Sequence, residues 1–471
     1  GGFMSLWLKL KKTKKNRYLS HQTPAPAVDL PLFAPENFEL ITQAVEDKKA
    51  IGQMIPESRQ EHESFHEEMM LKAHEAANNI GLSKRVFAAR LQGLEAILTV
   101  RLAALAKTPE TQQARDLLRR RLQILYERTA DLAASYRAEI DCYLHVGAFL
   151  YWLAEHQDLP ESALVHDSLI REGDPKRAEA FLSSLMHTTS AHGTEAAYYS
   201  GWLAELRIDP SLALDRYIIA LQGAPQNLDF LCRTGMTARN LGRYQEAVEC
   251  LEWRARVIQG QRNHDEVMLA LAQRELAYTH LQEKQYKKAE PLYQNAMTLL
   301  AQKLGHSNQE LAICWLQLGE MQETLGAYDK AQLLYGRAFD MLKANMGGLD
   351  PLLAPALERL AGLMLDMGLH EEALPLYQQL VAVREGSMSN GHPFLFHAMA
   401  KVTETYRFLG AYAKAEEICR KNLKLMETYY AKGHPQTAER LRELSKLCVL
   451  QGKNEEGRQY LDKATALLAL Q

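Results

Sequence analysis

From about residue 230 onward the apolar positions recur at helical spacing, and the pattern of one stretch returns in the next. Six segments, LGRYQEA, EKQYKKA, LGAYDKA, MGLHEEA, LGAYAKA and QGKNEEG, end at Ala247, Ala289, Ala331, Ala373, Ala415 and Gly457, each 42 residues after the one before. Twelve residues upstream of each end lies a small residue: Gly235, Ala277, Gly319, Ala361, Thr403 and Ser445. A further column reads Gly242, Lys284, Gly326, Gly368, Gly410 and Gly452, with lysine the one departure. Downstream, Ala289-Tyr293-Ala296 and Ala331-Tyr335-Ala338 share an A-x3-Y-x2-A stripe.

These columns predict two amphipathic helices per unit with a tight turn between them. The small residue lets the first helix, A, approach its partner closely. The glycine ends that helix at a left-handed position, where a side chain is disfavoured. The Ala-Tyr-Ala stripe packs the second helix, B, against its own helix A and the next one. A single pair cannot bury its apolar face alone, so stacked pairs share one continuous core.

The pattern resembles the tetratricopeptide repeat. Ala213-Tyr217-Ala220 carries the same stripe 34 residues before Ala247, the family's usual period, and Ala178-Leu182-Leu185 stands 35 residues earlier still. The 42-residue units, with Asp350-Pro351, His392-Pro393 and His434-Pro435 ahead of helix A, resemble those of kinesin light chains. The resemblance implies an all-α fold, an N-terminal helical bundle followed by a right-handed α-solenoid, and a concave groove lined by helices A. It spans roughly residues 160–471 and implies a scaffold, not an activity. The expected divisions are an arm over 1–35, a bundle over 36–157 and an array of about seven to eight helix pairs over 158–471.

By the same analogy the groove would be lined by Met236, Arg239, Arg274, Tyr278, Leu281, Gln317, Glu320, Glu323, Arg359, Glu404 and Arg407. Its earlier wall is basic and aromatic, and its middle carries Glu320 and Glu323. This suits an extended or helical segment of a partner protein, with Tyr278 as apolar anchor. The paired asparagines with which kinesin light chains hold a peptide are replaced here, for example by Arg274-Glu275 and Glu358-Arg359. The Lys/Asn carboxylate clamp of chaperone-binding members has no counterpart either. Cargo or chaperone binding of those kinds therefore does not carry over.

In the arm, Trp7 and its aliphatic neighbours intersperse with Lys11, Lys12, Lys14 and Lys15, ahead of the proline-rich TPAPAVDLPLFAP. Such an arm is solvated, or docks a partner, or touches an anionic membrane weakly, at about 1 kcal/mol per basic residue. Its start lacks the apolar stretch of a secretory signal. Beyond it, Phe87, Leu91, Leu94, Leu98 and Leu105 keep helical spacing. Thr108-Pro109-Glu110 opens a long helical stretch whose later part, 140–153, is rich in aromatic residues. Arg119-Arg120-Arg121 reads as a solvated face.

Composition narrows the function classes. Apolar residues make up 47% of the 471-residue chain and the formal net charge is −3, which gives no chain-wide footprint for nucleic acid. Six cysteines without a C-x-x-C pair fit reduced thiols in a cytoplasmic protein, with peripheral membrane contact through the arm the added expectation. One motif points to chemistry. His62-Glu63-Ser64-Phe65-His66 spells H-E-x-x-H, which on a helix presents two imidazoles and a base to zinc. Charged flanks, Arg59-Gln60-Glu61 and Glu67-Glu68, and the lack of a longer metalloprotease signature make it a charged helix face, with a zinc-dependent hydrolase the remote alternative. Phosphate-binding loops and nucleophile elbows are absent. The sequence therefore reads as a non-enzymatic, chaperone-like adaptor without cofactor, in a larger assembly of the bacterial secretion or surface kind. The alternative is a peptide-responsive regulator that couples the bundle to a repeat sensor.

Overall fold

A computed structural model of the protein describes residues 95–469, apart from 158, 173–174, 189–190 and 431. The arm with Trp7, Lys11, Lys12, Lys14 and Lys15, the HESFH motif, and Phe87, Leu91 and Leu94 lie outside the described residues. Residues 95–104 are helical. Eighteen longer helices follow, with no strand among the described residues. They are α1 (Gln112–Arg128), α2 (Leu132–His156), α3 (Glu161–Glu172), α4 (Pro175–Leu185), α5 (Ala191–Leu206) and α6 (Pro210–Gly223). Then come α7 (Leu228–Asn240), α8 (Tyr244–Gln259), α9 (Glu266–Gln282), α10 (Tyr286–Leu304), α11 (Gln309–Thr324) and α12 (Tyr328–Met346). The last six are α13 (Ala354–Asp366), α14 (His370–Ser387), α15 (Pro393–Phe408), α16 (Tyr412–Tyr429), α17 (Pro435–Leu450) and α18 (Asn454–Leu468).

The chain forms two compact units, one of residues up to Arg128 with Leu132–Leu292, the other of Thr129–Asp131 with Tyr293–Gln471. The divisions drawn from the repeat pattern, at 35 and 157, stand beside these units as a proposal about chain organisation. In the first unit α2 through α9 each pack on the next, and in the second α11 through α18 do the same.

The small column does what its side chains require. A Cβ on Gly319 would sit 2.5 Å from the Tyr335 ring, and one on Gly235 would sit 2.7 Å from Leu251. Real Cβ atoms do not come so close, so the backbone of helix A touches a side chain of helix B, a tyrosine ring or the Leu251 branch. The stripe on helix B is fully buried at Ala331, Tyr335 and Ala338, as it is at Ala289, Tyr293 and Ala296. Gly201 extends the column one unit back, twelve residues before Ala213, and its Cβ would lie 2.6 Å from Tyr217.

Among the described residues the A–B turns from α5 onward close in one way. Gly242, Gly326, Gly368, Gly410 and Gly452 have φ between +70° and +79°, and the residue after each donates back across the turn, as Ala327 N does to Gln322 O at 2.9 Å. Lys284 takes φ +64° and Ile208 φ +58° at the same register, so the departure from glycine changes the residue and not the turn. Helix A starts are capped by side chains: Asn227, Asp265, Asn308, His392 and His434 accept from backbone N–H groups two or three residues on. The histidines before proline are therefore caps, and each must present an unprotonated Nδ1.

The stretch opened by Thr108-Pro109 is two helices, because Thr129–Asp131 breaks it. Within the second unit Thr129 Oγ1 lies 2.9 Å from His392 Nε2. Since Nδ1 of His392 accepts from Phe394 N, Nε2 carries the proton and donates to Thr129. The Ser387 hydroxyl donates to Ala130 O at 3.2 Å.

The left-handed lysine gives a direct test. Lys284→Gly should stabilise the chain by about 0.5–1 kcal/mol, while Gly326→Ala, whose Cβ would meet open space, should cost about 1 kcal/mol through backbone strain alone. Thermal melts of both variants check this, and a melt that moves Lys284→Gly downward contradicts it. The caps give a pH test. Burial holds the His434 imidazole below its usual range. The unfolded chain then takes up a proton that the folded cap resists, so stability falls as pH drops below about 6.5. His434→Asn keeps the cap, so the melting temperature should change less between about pH 7.5 and about pH 5 than in the parent. An equal change in both proteins would remove His434 from the account.

Candidate functional site

The side chains on helix A that point away from helix B are the ones the turn and the small column leave over. Between neighbouring helices A they form a ladder of ion pairs. In the first unit Glu205 of α5 meets Arg233 of α7 at 2.8 Å, and Arg239 of α7 meets Glu275 of α9 at 2.8 Å. In the second unit Glu320 of α11 meets Arg359 of α13 at 3.0 Å, and Arg407 of α15 meets Glu443 of α17 at 3.2 Å. The order of charge alternates from rung to rung.

The first-unit rungs are the more enclosed. Arg239 is 9% exposed and its guanidinium also lies 4.8 Å from the centre of the Tyr278 ring. Arg274 reaches Glu275 from the other side at 3.2 Å. Burial by itself would push the Glu275 carboxyl up, but the charges and hydrogen bonds of Arg239 and Arg274 outweigh it and hold the group below its ordinary range. Arg233 is stacked over Trp202 at 3.8 Å, and its Nε donates to Tyr198 Oη at 2.9 Å. Thr237 donates to the second oxygen of Glu205 at 2.9 Å. Met236 and Tyr278 remain half-buried beside this cluster.

The eleven groove positions expected from sequence fall in both units. Met236, Arg239, Arg274, Tyr278 and Leu281 lie in the first, and Gln317, Glu320, Glu323, Arg359, Glu404 and Arg407 in the second. Leu281 is a core residue, 5% exposed. Arg239, Arg274, Glu320, Arg359 and Arg407 belong to the ladder or brace it. Glu323 accepts from the Tyr335 hydroxyl at 2.6 Å, and Glu404 takes Lys401 at 2.8 Å. Arg239 is a buried cation paired with the largely enclosed carboxylate of Glu275.

Trp202, Glu205, Tyr198 and Arg233 join the candidate site although they are not among the eleven positions expected from sequence. Trp202 and Glu205 hold, in α5, the register positions of Met236 and Arg239 in α7. The signal was Gly201, twelve residues before Ala213.

Two other charged clusters have structural roles. In the arginine run, only Arg119 is left to the surface, paired with Asp116. Arg121 Nε donates to Ile208 O at 2.6 Å and Arg120 donates to Asn240 O at 3.4 Å, both at C-terminal ends of helices A. Glu416, Cys448 and Glu456 place donor atoms within 4.8 Å of one another, as a metal site would. Arg420 and Lys453 already neutralise the two carboxylates, with Lys453 Nζ 2.9 Å from Glu416. Burial pushes the Glu416 carboxyl up, yet hydrogen bonds from Lys453, Arg420 and Gln451 hold it down at about 2.

Family models described as tetratricopeptide repeat match residues 268–344 and 403–469, and a second such model matches 228–252. No curated protein matches the chain. Among solved structures, the apo quorum sensor NprR from B. thuringiensis is 13% identical, over 80% of this chain and 98% of that one, with a TM-score of 0.45. A putative kinesin light chain from Podosopora anserina is 19% identical, over 44% of this chain and 98% of that one, at 0.39. BtubC (BKLC) from P. vanneervenii is 16% identical, over 54% and 91%, at 0.40. All three scores are too low to bring function or arrangement to this chain.

The ladder has a measurable consequence. Arg239→Ala leaves Glu275 buried with Arg274 as its remaining cation, and should cost about 2 kcal/mol in denaturant unfolding. Replacing both Arg239 and Glu275 by methionine should recover part of that loss. If Arg239→Ala unfolds at the parent's midpoint, the rung contributes nothing to folding.

Proposed function

We propose that this chain, which belongs to the tetratricopeptide-repeat family, is a non-enzymatic scaffold that takes a segment of a partner protein on the outward faces of its helices A. The family assignment supports a protein-interaction role. The observation that carries the finer reading is the Met236–Tyr278 surface in the first unit. Two apolar side chains stay half-buried there beside Arg239, Arg274 and Arg233, whose positions are fixed by Glu275 and Glu205. An anchored aromatic ring flanked by immobilised guanidinium groups suits a chain segment that brings an apolar side chain and a carboxylate. Because the arginines are already ordered, little side-chain entropy remains to be lost when the segment arrives.

In the second unit the same faces carry Glu320 with Arg359 and Arg407 with Glu443. These pairs are more exposed and add polar contacts that a partner's backbone can meet. Among the described residues no helix is long and apolar enough to cross a membrane. The role of the basic arm as a membrane or partner contact is part of the proposal only as a second attachment point.

A photo-crosslinking amino acid placed at Tyr278, and separately at the exposed helix-B residue Leu333, tests the surface directly. In extracts of the native source, Tyr278 should trap a defined protein segment and Leu333 should not. The double variant Met236→Ala and Tyr278→Ala should weaken capture of that partner about tenfold or more while leaving the melting temperature within a few degrees. Equal trapping at both positions, or unchanged capture by the double variant, would place recognition elsewhere.

A further inference from the structure

The A–B turns of the second unit form a surface that the groove reading does not use. At that edge Leu325 is 55% exposed, Tyr328 51%, Met367 37% and Phe408 49%. These residues stand at or within two residues of the left-handed glycines Gly326, Gly368 and Gly410, so the 42-residue repeat brings them to one side. Neighbouring turns are in contact there, since the His370 ring stacks on Phe408 at 4.7 Å. Helices α11 and α13 also end at these turns, and helix C-termini carry partial negative charge. Asp329, Asp366, Glu371 and Glu372 are exposed around the first two turns, against a single exposed cation, Lys330.

The first unit shows what this kind of edge accepts. There the same turns receive α1, an amphipathic helix of the chain itself. Leu118 and Leu122 of α1 pack on the core while Arg121 donates to Ile208 O and Arg120 to Asn240 O. Ile208 and Gly242 hold the left-handed register position of those two turns. The occupant thus uses aliphatic side chains for burial and guanidinium groups for the carbonyl ends of helices A.

We propose that the turn edge of the second unit, from Leu325 to Phe408, is a docking surface for a basic amphipathic helix of a partner protein. Its aliphatic stripe covers Leu325, Tyr328 and Met367, and its arginines or lysines face Asp366, Glu371 and Glu372. This surface is separate from the helix-A faces and would let the chain hold two partners at once.

The test is a selection of helical peptides from a random display library on the full chain, followed by fluorescence anisotropy. Each selected peptide is measured on the parent, on Leu325→Asp with Met367→Asp, and on Met236→Ala with Tyr278→Ala. All four positions are exposed or half-buried, and circular dichroism melts confirm that both variants fold. The expected peptides carry net positive charge and an i, i+3/i+4 aliphatic stripe. They lose affinity about tenfold or more on the edge variant, keep it on the groove variant, and weaken as salt is raised. The proposal is overturned if no peptide is retained, if the retained peptides are neutral or acidic, or if their affinity falls only on the groove variant. The last result would leave the groove reading standing alone. Loss on the edge variant with no effect at the groove would support the edge whatever becomes of the groove.

Discussion

The close approach of helix A to the ring or branch on helix B is the constraint from which the rest of the architecture follows. Gly201 under Tyr217, Gly235 under Leu251 and Gly319 under Tyr335 leave no room for a Cβ. That contact fixes the rotation of helix A about its own axis, since only one of its faces is small enough to be pressed inward. Once the rotation is set, the residue one place further on faces away from helix B, and so does the residue four places on at Glu205, Arg239 and Arg407, while Leu281 in that column is core. The candidate site is the remainder of a packing decision.

Within each unit the outward positions then face one another across the step from one helix pair to the next. An isolated charge there would be half desolvated, and each is matched instead: Glu205 to Arg233, Arg239 to Glu275, Glu320 to Arg359, Arg407 to Glu443. Exposed ion pairs add little, about 0–1 kcal/mol, so the last two contribute orientation more than stability. The first two are enclosed by Trp202, Tyr198 and Tyr278, where losing one partner strands a charge away from water. The same residues that would greet a partner are thus part of what spaces the helices.

Turns, columns and stripes were legible in the sequence because each depends on one residue at one register. The left-handed position is the clearest case: Lys284 broke the glycine column, yet its neighbours dictated the turn and the backbone followed. The ladder was not legible, because each rung joins side chains 28, 36, 39 and 36 residues apart, with the order of charge reversed each time. No fixed spacing announces such a pair. Trp202 and Glu205 escaped for a different reason. The step from Ala213 to Ala247 is 34 and not 42, so a column drawn at 42 misses Gly201. The arginine run looked like a solvated face because its acceptors are backbone carbonyls, which no side-chain pattern records.

Carbonyl recognition also separates the two surfaces physically. On the helix-A faces the polar groups are already paired, so a partner of the proposed kind would gain mainly by shape and by the apolar area of Met236 and Tyr278, its carboxylate meeting guanidinium groups already held in place. At the turn edge the helix ends offer partial negative charge that the repeat itself leaves at its margin. In the first unit the chain answers that charge with its own arginines from α1. A repeat protein stacks its pairs without limit in principle, and each added pair extends both surfaces by one step. As proposed, the two surfaces would grow together yet ask for different things: the helix-A faces for a segment that fits between fixed side chains, the edge for a helix that brings its own cations.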